Sequence, residues 1–246
     1  MAGQDVDIPT PDGTLDAKWF QPEGTGPWPA VLLITDAMGT RPVFESMAQR
    51  LVAAGYGVLL PNVYYRQGRA PLPNMEGSFQ DEAYRGRILG LAATLTPERV
   101  RTDGAAELDF LAGRAEVKGP VGVVGYCMGG GFAVNLAASF PDRVAAAASF
   151  HGGRLATDAP DSPHRLVSKV KGELYFGHAD QDGSMPADAI ARLEAALKEA
   201  GVKHQSELYV GARHGFAVEG SHAYDKDASE QHWRRMLELF GRTLRA

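Results

Sequence analysis

The sequence predicts an α/β fold with a mostly parallel central sheet of about eight strands and helices on both faces. Three observations predict it. Short, continuous apolar runs recur from Ala30 onward, as expected of strands covered on both faces. Helical apolar stripes alternate with those runs, which implies right-handed crossovers. The 246 residues, 44% hydrophobic and 22% charged, suit one globular domain spanning residues 1–246.

The runs Val6 to Ile8 and Leu15 to Phe20, joined by Pro11-Asp12-Gly13, read as an antiparallel start. Ala30 to Thr35 is the first buried strand. Val43 to Ala54 carries Phe44, Met47, Leu51 and Val52 at helical spacing, and Gly55 stops it. The strand Gly57 to Pro61 then opens into Asn62 to Gly77, the least regular stretch of the chain. It leaves the carboxyl end of a strand, where open α/β sheets bind ligands, and reads as a pocket wall, a flap or a plain connection. Thr96 caps a helix from Pro97 to Leu111. Strands follow at Val121 to Val124, Ala145 to Phe150, Glu173 to Phe176 and Glu207 to Val210. The helix Pro186 to Ala200 turns Ile190, Leu193 and Leu197 inward. The last helix, Asp227 to Leu244, turns in Trp233, Met236, Leu237 and Phe240.

Composition excludes several functions. A net charge of -5 without a basic cluster leaves no footprint for nucleic acid. One cysteine rules out an internal disulfide, and Met1 to Thr10 lacks the basic-then-apolar pattern of a leader, so the cytoplasm is expected. Gly119 to Pro141 is uncharged and long enough to cross a membrane, but its glycines with Pro120 and Asn135 fit a strand, a turn and a helix better. No histidine and cysteine stand at zinc-ligand spacing, so no metal site is expected.

The chemistry is carried by Gly125-Tyr126-Cys127-Met128-Gly129, which follows the run Pro120 to Val124 and precedes a small-residue helix. Strand, sharp turn and helix are the context of a nucleophile elbow. The flanking glycines give the turn room, and a helix start favours a thiolate. A buried, inert cysteine is the ordinary alternative, but the glycine frame argues for a nucleophile.

Such a nucleophile needs a base and a group that orients the base, in chain order nucleophile, acid, histidine. Of seven histidines, only His214 lies in a glycine-flanked loop just past a late strand. His151 precedes the acid loop and His178 lies inside it. His164, His204, His222 and His232 are expected at the surface. The acid is Asp182, four residues before Pro186, or its neighbour Asp180, which otherwise serves as a turn residue. The oxyanion donors are expected to be the N–H groups of Met128 and of Ala37, in the loop after the Ala30 strand. Asp36 beside it is expected either to act on the thiol or to turn the loop.

With these residues in hand, the chain resembles the dienelactone hydrolase family of the α/β-hydrolase fold over essentially its whole length. The likeness rests on Gly125 to Gly130, on Gln181-Asp182 with Pro186, and on His214-Gly215-Phe216-Ala217. The resemblance implies a Cys127–His214–Asp182 triad that hydrolyses a small-molecule ester or lactone through an acyl-enzyme, without a cofactor. It also implies an acid at position 36 linked to the thiol's resting state; here that acid is an aspartate, one methylene shorter than the family's glutamate. Around the substrate it suggests Tyr84, Arg85, Tyr126 and Phe216. The arginines expected to hold a dienelactone carboxylate are replaced by Gln80 and Val218, with Arg66, Arg85 or Arg87 as possible substitutes. The alternatives are a general short-chain esterase or thioesterase, or a non-catalytic thiol-based ligand or redox sensor. A monomer or small homo-oligomer is expected, without nucleic-acid or membrane partners.

Overall fold

The computed structural model describes residues 3–77 and 79–245. Eight strands form one sheet in the order β1-β2-β4-β3-β5-β6-β7-β8. β1 (Gln4–Thr10) and β2 (Gly13–Phe20) make an antiparallel hairpin, and β2 runs antiparallel to β4 (Gly57–Pro61). From there every pairing is parallel, through β3 (Ala30–Ile34), β5 (Val121–Tyr126), β6 (Val144–Phe150), β7 (Glu173–Gln181) and β8 (His204–Arg213).

The parallel strands read as unbroken apolar runs because both faces are covered. Along β3 and β5, alternate residues serve opposite layers. Leu32, Ile34 and Val123 pack with α3 (Pro97–Ala112), α4 (Met128–Ser139) and α5 (Ala187–Glu199). Val31, Leu33, Val124 and Tyr126 pack with α1 (Pro42–Ala53) and α6 (Lys226–Leu244).

The structure departs from the sequence reading at three places. Glu82–Ala93 is a helix, α2, capped by the Asp81 carboxylate on the Tyr84 N–H at 2.8 Å. His164 and His232 are buried rather than exposed. His232 sits on the inner stripe of α6, where its Nε2 lies 3.2 Å from the Tyr126 hydroxyl. On the same helix Leu239 is also fully buried, beside Leu237, which is partly buried against the same layer. The Asn62 to Gly77 stretch is tied down over its first half. Asn62 donates to Asp16 (3.0 Å) and to the Gly68 carbonyl (2.8 Å), and Arg66 pairs with Asp103 and Asp12. Among the described residues, no helix is long and apolar enough to cross a membrane.

Candidate active site

β5 ends directly beneath the elbow. Cys127 adopts φ 56° and ψ -119°, a backbone conformation costing about 1–3 kcal/mol for a non-glycine residue. The cost is sustained because the turn is clamped on both sides. The Cys127 N–H donates to the Phe150 carbonyl at 3.2 Å, and the Cys127 carbonyl accepts from Gly130 at 3.1 Å. A Cβ on Gly125 would run into the Gly129 carbonyl, and one on Gly129 would sit 2.5 Å from the Thr35 carbonyl oxygen. Both glycines are therefore steric requirements of the turn.

β7 and β8 deliver the other two groups from adjacent positions in the sheet. Asp182 directly follows β7 and His214 directly follows β8. Asp182 Oδ2 lies 2.6 Å from His214 Nδ1. An ionised carboxylate only accepts, so Nδ1 carries the proton and Nε2 is left for the thiol. Asp180 is used elsewhere, its Oδ2 accepting the Gly211 N–H at 2.9 Å. The second oxygen of Asp182 accepts both the Ser184 N–H (2.8 Å) and the Ser184 hydroxyl (2.6 Å).

Burial alone would lower the His214 pKa. The hydrogen bonds and charges of Asp182 and Cys127 outweigh it and push the value up to about 10. Burial would likewise raise Asp182, but His214 and Ser184 hold its carboxyl below the usual range. His151 packs edge-to-face on His214, with ring centroids 5.2 Å apart. Burial drives the His151 pKa well below the ordinary histidine value, so it stays a neutral ring beside the cation.

The loop after β3 approaches from the opposite side of Cys127. Its Ala37 carbonyl accepts the Tyr64 hydroxyl at 2.8 Å, and Tyr64 also reaches the Met128 sulfur at 3.7 Å. Burial, and then the negative charge of Asp36 and Cys127, keeps that hydroxyl protonated above the usual tyrosine range. Ala37 N–H has no acceptor among the described residues, and Met128 opens α4 with one of the helix's unpaired donors. Asp36 is fully engaged: its two oxygens take a bidentate Arg41 guanidinium at 2.6 Å each, and Oδ1 also accepts the Met38 N–H.

The residues expected around the substrate divide into two groups. Tyr84 lies beside the loop after β3, packed with Ala37 and Ile88, and its hydroxyl donates to the Met75 carbonyl at 3.0 Å. Arg85 is exposed and donates to the Phe79 carbonyl at 3.1 Å. Tyr126 and Phe216 are 0% exposed, so they back the site instead of lining it. Tyr126 points toward α6 and Phe216 stacks on Tyr209. Sequence reasoning missed Ser184, Tyr64 and Arg41. Among the described residues, no cluster of three or more His, Cys, Asp or Glu has metal-site geometry.

The dienelactone hydrolase family model matches residues 15–244. This chain belongs to that family and is a hydrolase. A Synechocystis sp. protein provisionally called a carboxymethylenebutenolidase is 29% identical over 240 residues, covering 96% of this chain and 94% of that one. The carboxymethylenebutenolidase of Rhodococcus opacus is 27% identical over 227 residues, covering 89% and 83%. A dienelactone hydrolase-like promiscuous phosphotriesterase from metagenomic libraries superposes with a TM-score of 0.80 at 24% identity, over 99% of each chain. At that identity the structural likeness bears on the fold alone.

Proposed function

We propose that Cys127, His214 and Asp182 hydrolyse carboxylic esters and lactones through a thioester acyl-enzyme. The observation that carries this reading is the position of His214, held through Nδ1 by Asp182 at 2.6 Å, with Cys127 among the groups that raise its pKa. His214 takes the thiol proton on Nε2 and the Cys127 thiolate attacks the substrate carbonyl carbon. The carbonyl oxygen becomes an oxyanion, met by the N–H groups of Ala37 and Met128. The intermediate collapses, the carbon–oxygen bond to the leaving group breaks, and the departing alkoxide takes the proton from His214.

The acyl-enzyme then resets the base. Once Cys127 is a thioester it has no charge or proton to share, so two of the interactions that raise His214 are gone. His214 falls toward its ordinary range and can take a proton from water. The hydroxide formed attacks the thioester, the thiolate departs, and the carboxylic acid leaves. Asp182 keeps Nδ1 protonated throughout, and Ser184 holds Asp182.

The relatives' names point to dienelactone as the substrate, whereas the surroundings of this site favour an uncharged ester. Val218 is 1% exposed and Arg66 is bound to Asp103 and Asp12, which leaves neither to clamp a carboxylate. The test compares kcat/KM for cis-dienelactone and for a neutral short-chain aryl ester, with Cys127→Ala as background. Turnover of either substrate above background supports the triad, and the ratio assigns the substrate. If neither is hydrolysed above background, the esterase reading is wrong and a thiol-based sensor takes its place.

A further inference from the structure

Beside the oxyanion loop lies a small apolar cluster separate from the two layers that sandwich the sheet. Ala37, Tyr84 and Ile88 form its buried centre, and Met38, Met75, Phe79, Leu91 and Met128 are partly exposed against it. Four segments meet here: the oxyanion loop, the start of α4, the stretch before α2 that carries Met75 and Phe79, and the inner side of α2. Three of the protein's seven methionines take part. Unbranched thioethers adapt to ligands of varying shape, which suits a binding wall more than a fixed core.

α2 is held to the molecule mainly through this cluster. Tyr84 and Ile88 are its only buried residues, and Gly77, at φ +152°, lets the preceding loop close on the Tyr84 ring. Gly86 and Gly90 face open space, so no neighbour requires glycine there. They weaken the helix and let it yield at low cost.

The geometry of the tetrahedral intermediate decides which part of the substrate meets the cluster. Its oxyanion points to Ala37 and Met128, and its leaving group must face His214, which sits among Gly153, Ser184 and His151. None of those three belongs to the α2 cluster. The acyl group takes a side occupied by neither the oxyanion nor the leaving group, and the apolar wall of α2 lies directly beside the oxyanion donors Ala37 and Met128. Of the cations near this wall, Arg41 is partly buried and paired with Asp36, whereas Arg85, bonded to the Phe79 carbonyl, and Arg87, over the Tyr84 ring, are exposed to solvent. A carboxylate buried among these apolar side chains would lose its hydration, and Arg41, the partly buried cation of the three, is already paired with Asp36.

Resting on the esterase reading above, we propose that the inner side of α2, with Met38 and Met75, binds an uncharged apolar acyl chain, and that Met75 and Leu91 set its length preference. Esters of an aryl or medium-chain aliphatic acid are the substrate class, and acyl groups ending in a carboxylate are discriminated against.

The experiment measures kcat/KM for p-nitrophenyl acetate, p-nitrophenyl hexanoate and the p-nitrophenyl hemiester of succinic acid. Wild-type protein is compared with Met75→Ser and Leu91→Asp. The wild type should prefer hexanoate over acetate by at least about tenfold, because added methylenes are buried only if the wall receives them. Hemisuccinate should be turned over more slowly than acetate. Either substitution should cut the hexanoate-to-acetate ratio at least about fivefold, mainly through KM, while acetate turnover stays within about twofold. Acetate turnover also reports that each variant is folded. A wild-type ratio near one, or a ratio unchanged in both variants, overturns the acyl-chain assignment and leaves the esterase reading intact. No turnover of any ester above Cys127→Ala removes both.

Discussion

Replacing Asp182 with asparagine should do more than remove a charge, because Ser184 dictates how the new amide lies. In the native site the oxygen facing Ser184 accepts its N–H at 2.8 Å and its hydroxyl at 2.6 Å, while the other oxygen faces His214 at 2.6 Å. Two donors on one side force the asparagine oxygen toward Ser184 and turn the amide NH2 toward His214. Nδ1 must then accept, the proton moves to Nε2, and the imidazole can no longer take the thiol proton. Loss of the charge-assisted bond alone is worth about 1.5–3 kcal/mol, a factor of roughly 10–150. The inverted tautomer adds to this, and in the Ser-His-Asp template the same change costs about 10⁴ in kcat. For Asp182→Asn a fall in kcat of at least about 10² is expected, measured on a neutral aryl ester with circular dichroism confirming the fold. The distinctive result is a partial rescue. Adding Ser184→Ala removes one donor that holds the amide, worth about 1 kcal/mol, so the double variant should recover about fivefold over Asp182→Asn. A fall of less than about fivefold in the single variant, or a double variant slower than the single, would refute the orientation argument.

Three further outcomes follow from the same contacts. Tyr64→Phe leaves the Ala37 carbonyl without its 2.8 Å donor, and a buried acceptor left unpaired costs about 1–3 kcal/mol of stability; Tm should fall by at least about 2 °C, and an unchanged Tm would contradict the bracing of this loop by Tyr64. His214 stays protonated up to about pH 10, so the basic limb of acylation should lie near 10 rather than near the ordinary histidine value of about 6.5. In Cys127→Ala, the His214 value read by NMR titration should drop below that of the wild type; an unchanged value would mean that the thiol does not contribute. His178 is buried and its pKa is lowered to about 4, mainly by desolvation, so it is neutral when folded. Its unfolded form gains a proton near pH 6.5, so stability is full above that value and is lost as pH falls toward 4, by at most about 3 kcal/mol. His178→Met should therefore raise Tm by at least about 4 °C more at pH 5 than at pH 8, and an equal shift at both would disprove this linkage.

Much of this architecture is legible in the sequence because burial on both faces leaves a simple trace. The runs at Ala30, Gly57, Val121, Ala145 and Glu173 are short and apolar, and each is a strand of the sheet. α2 left no such trace: it buries only Tyr84 and Ile88 of twelve residues and contains two glycines, so its apolar residues trace no stripe. His232 was legible in principle, since Ser229, His232, Met236 and Phe240 share a helical stripe, but a polar residue type masked it. The elbow and the loops carrying Asp182 and His214 stand out because glycines and strand ends mark them. Their supports do not. Ser184 reads as a turn residue after Gly183, and Tyr64 reaches the Ala37 carbonyl from 27 positions away in the chain. Arg41 differs, since it stands only five positions after the carboxylate it grips, yet an arginine just before Pro42 reads as a helix boundary. These roles come from distances that no spacing rule encodes.

The most direct test of the central claim is intact-protein mass spectrometry after millisecond acid quench of the enzyme mixed with a neutral p-nitrophenyl ester. A transient mass increase equal to the acyl group is expected, mapped by peptide digestion to Cys127 and absent in Cys127→Ala. Ester turnover with no adduct at any quench time, or with the adduct on another residue, would contradict it.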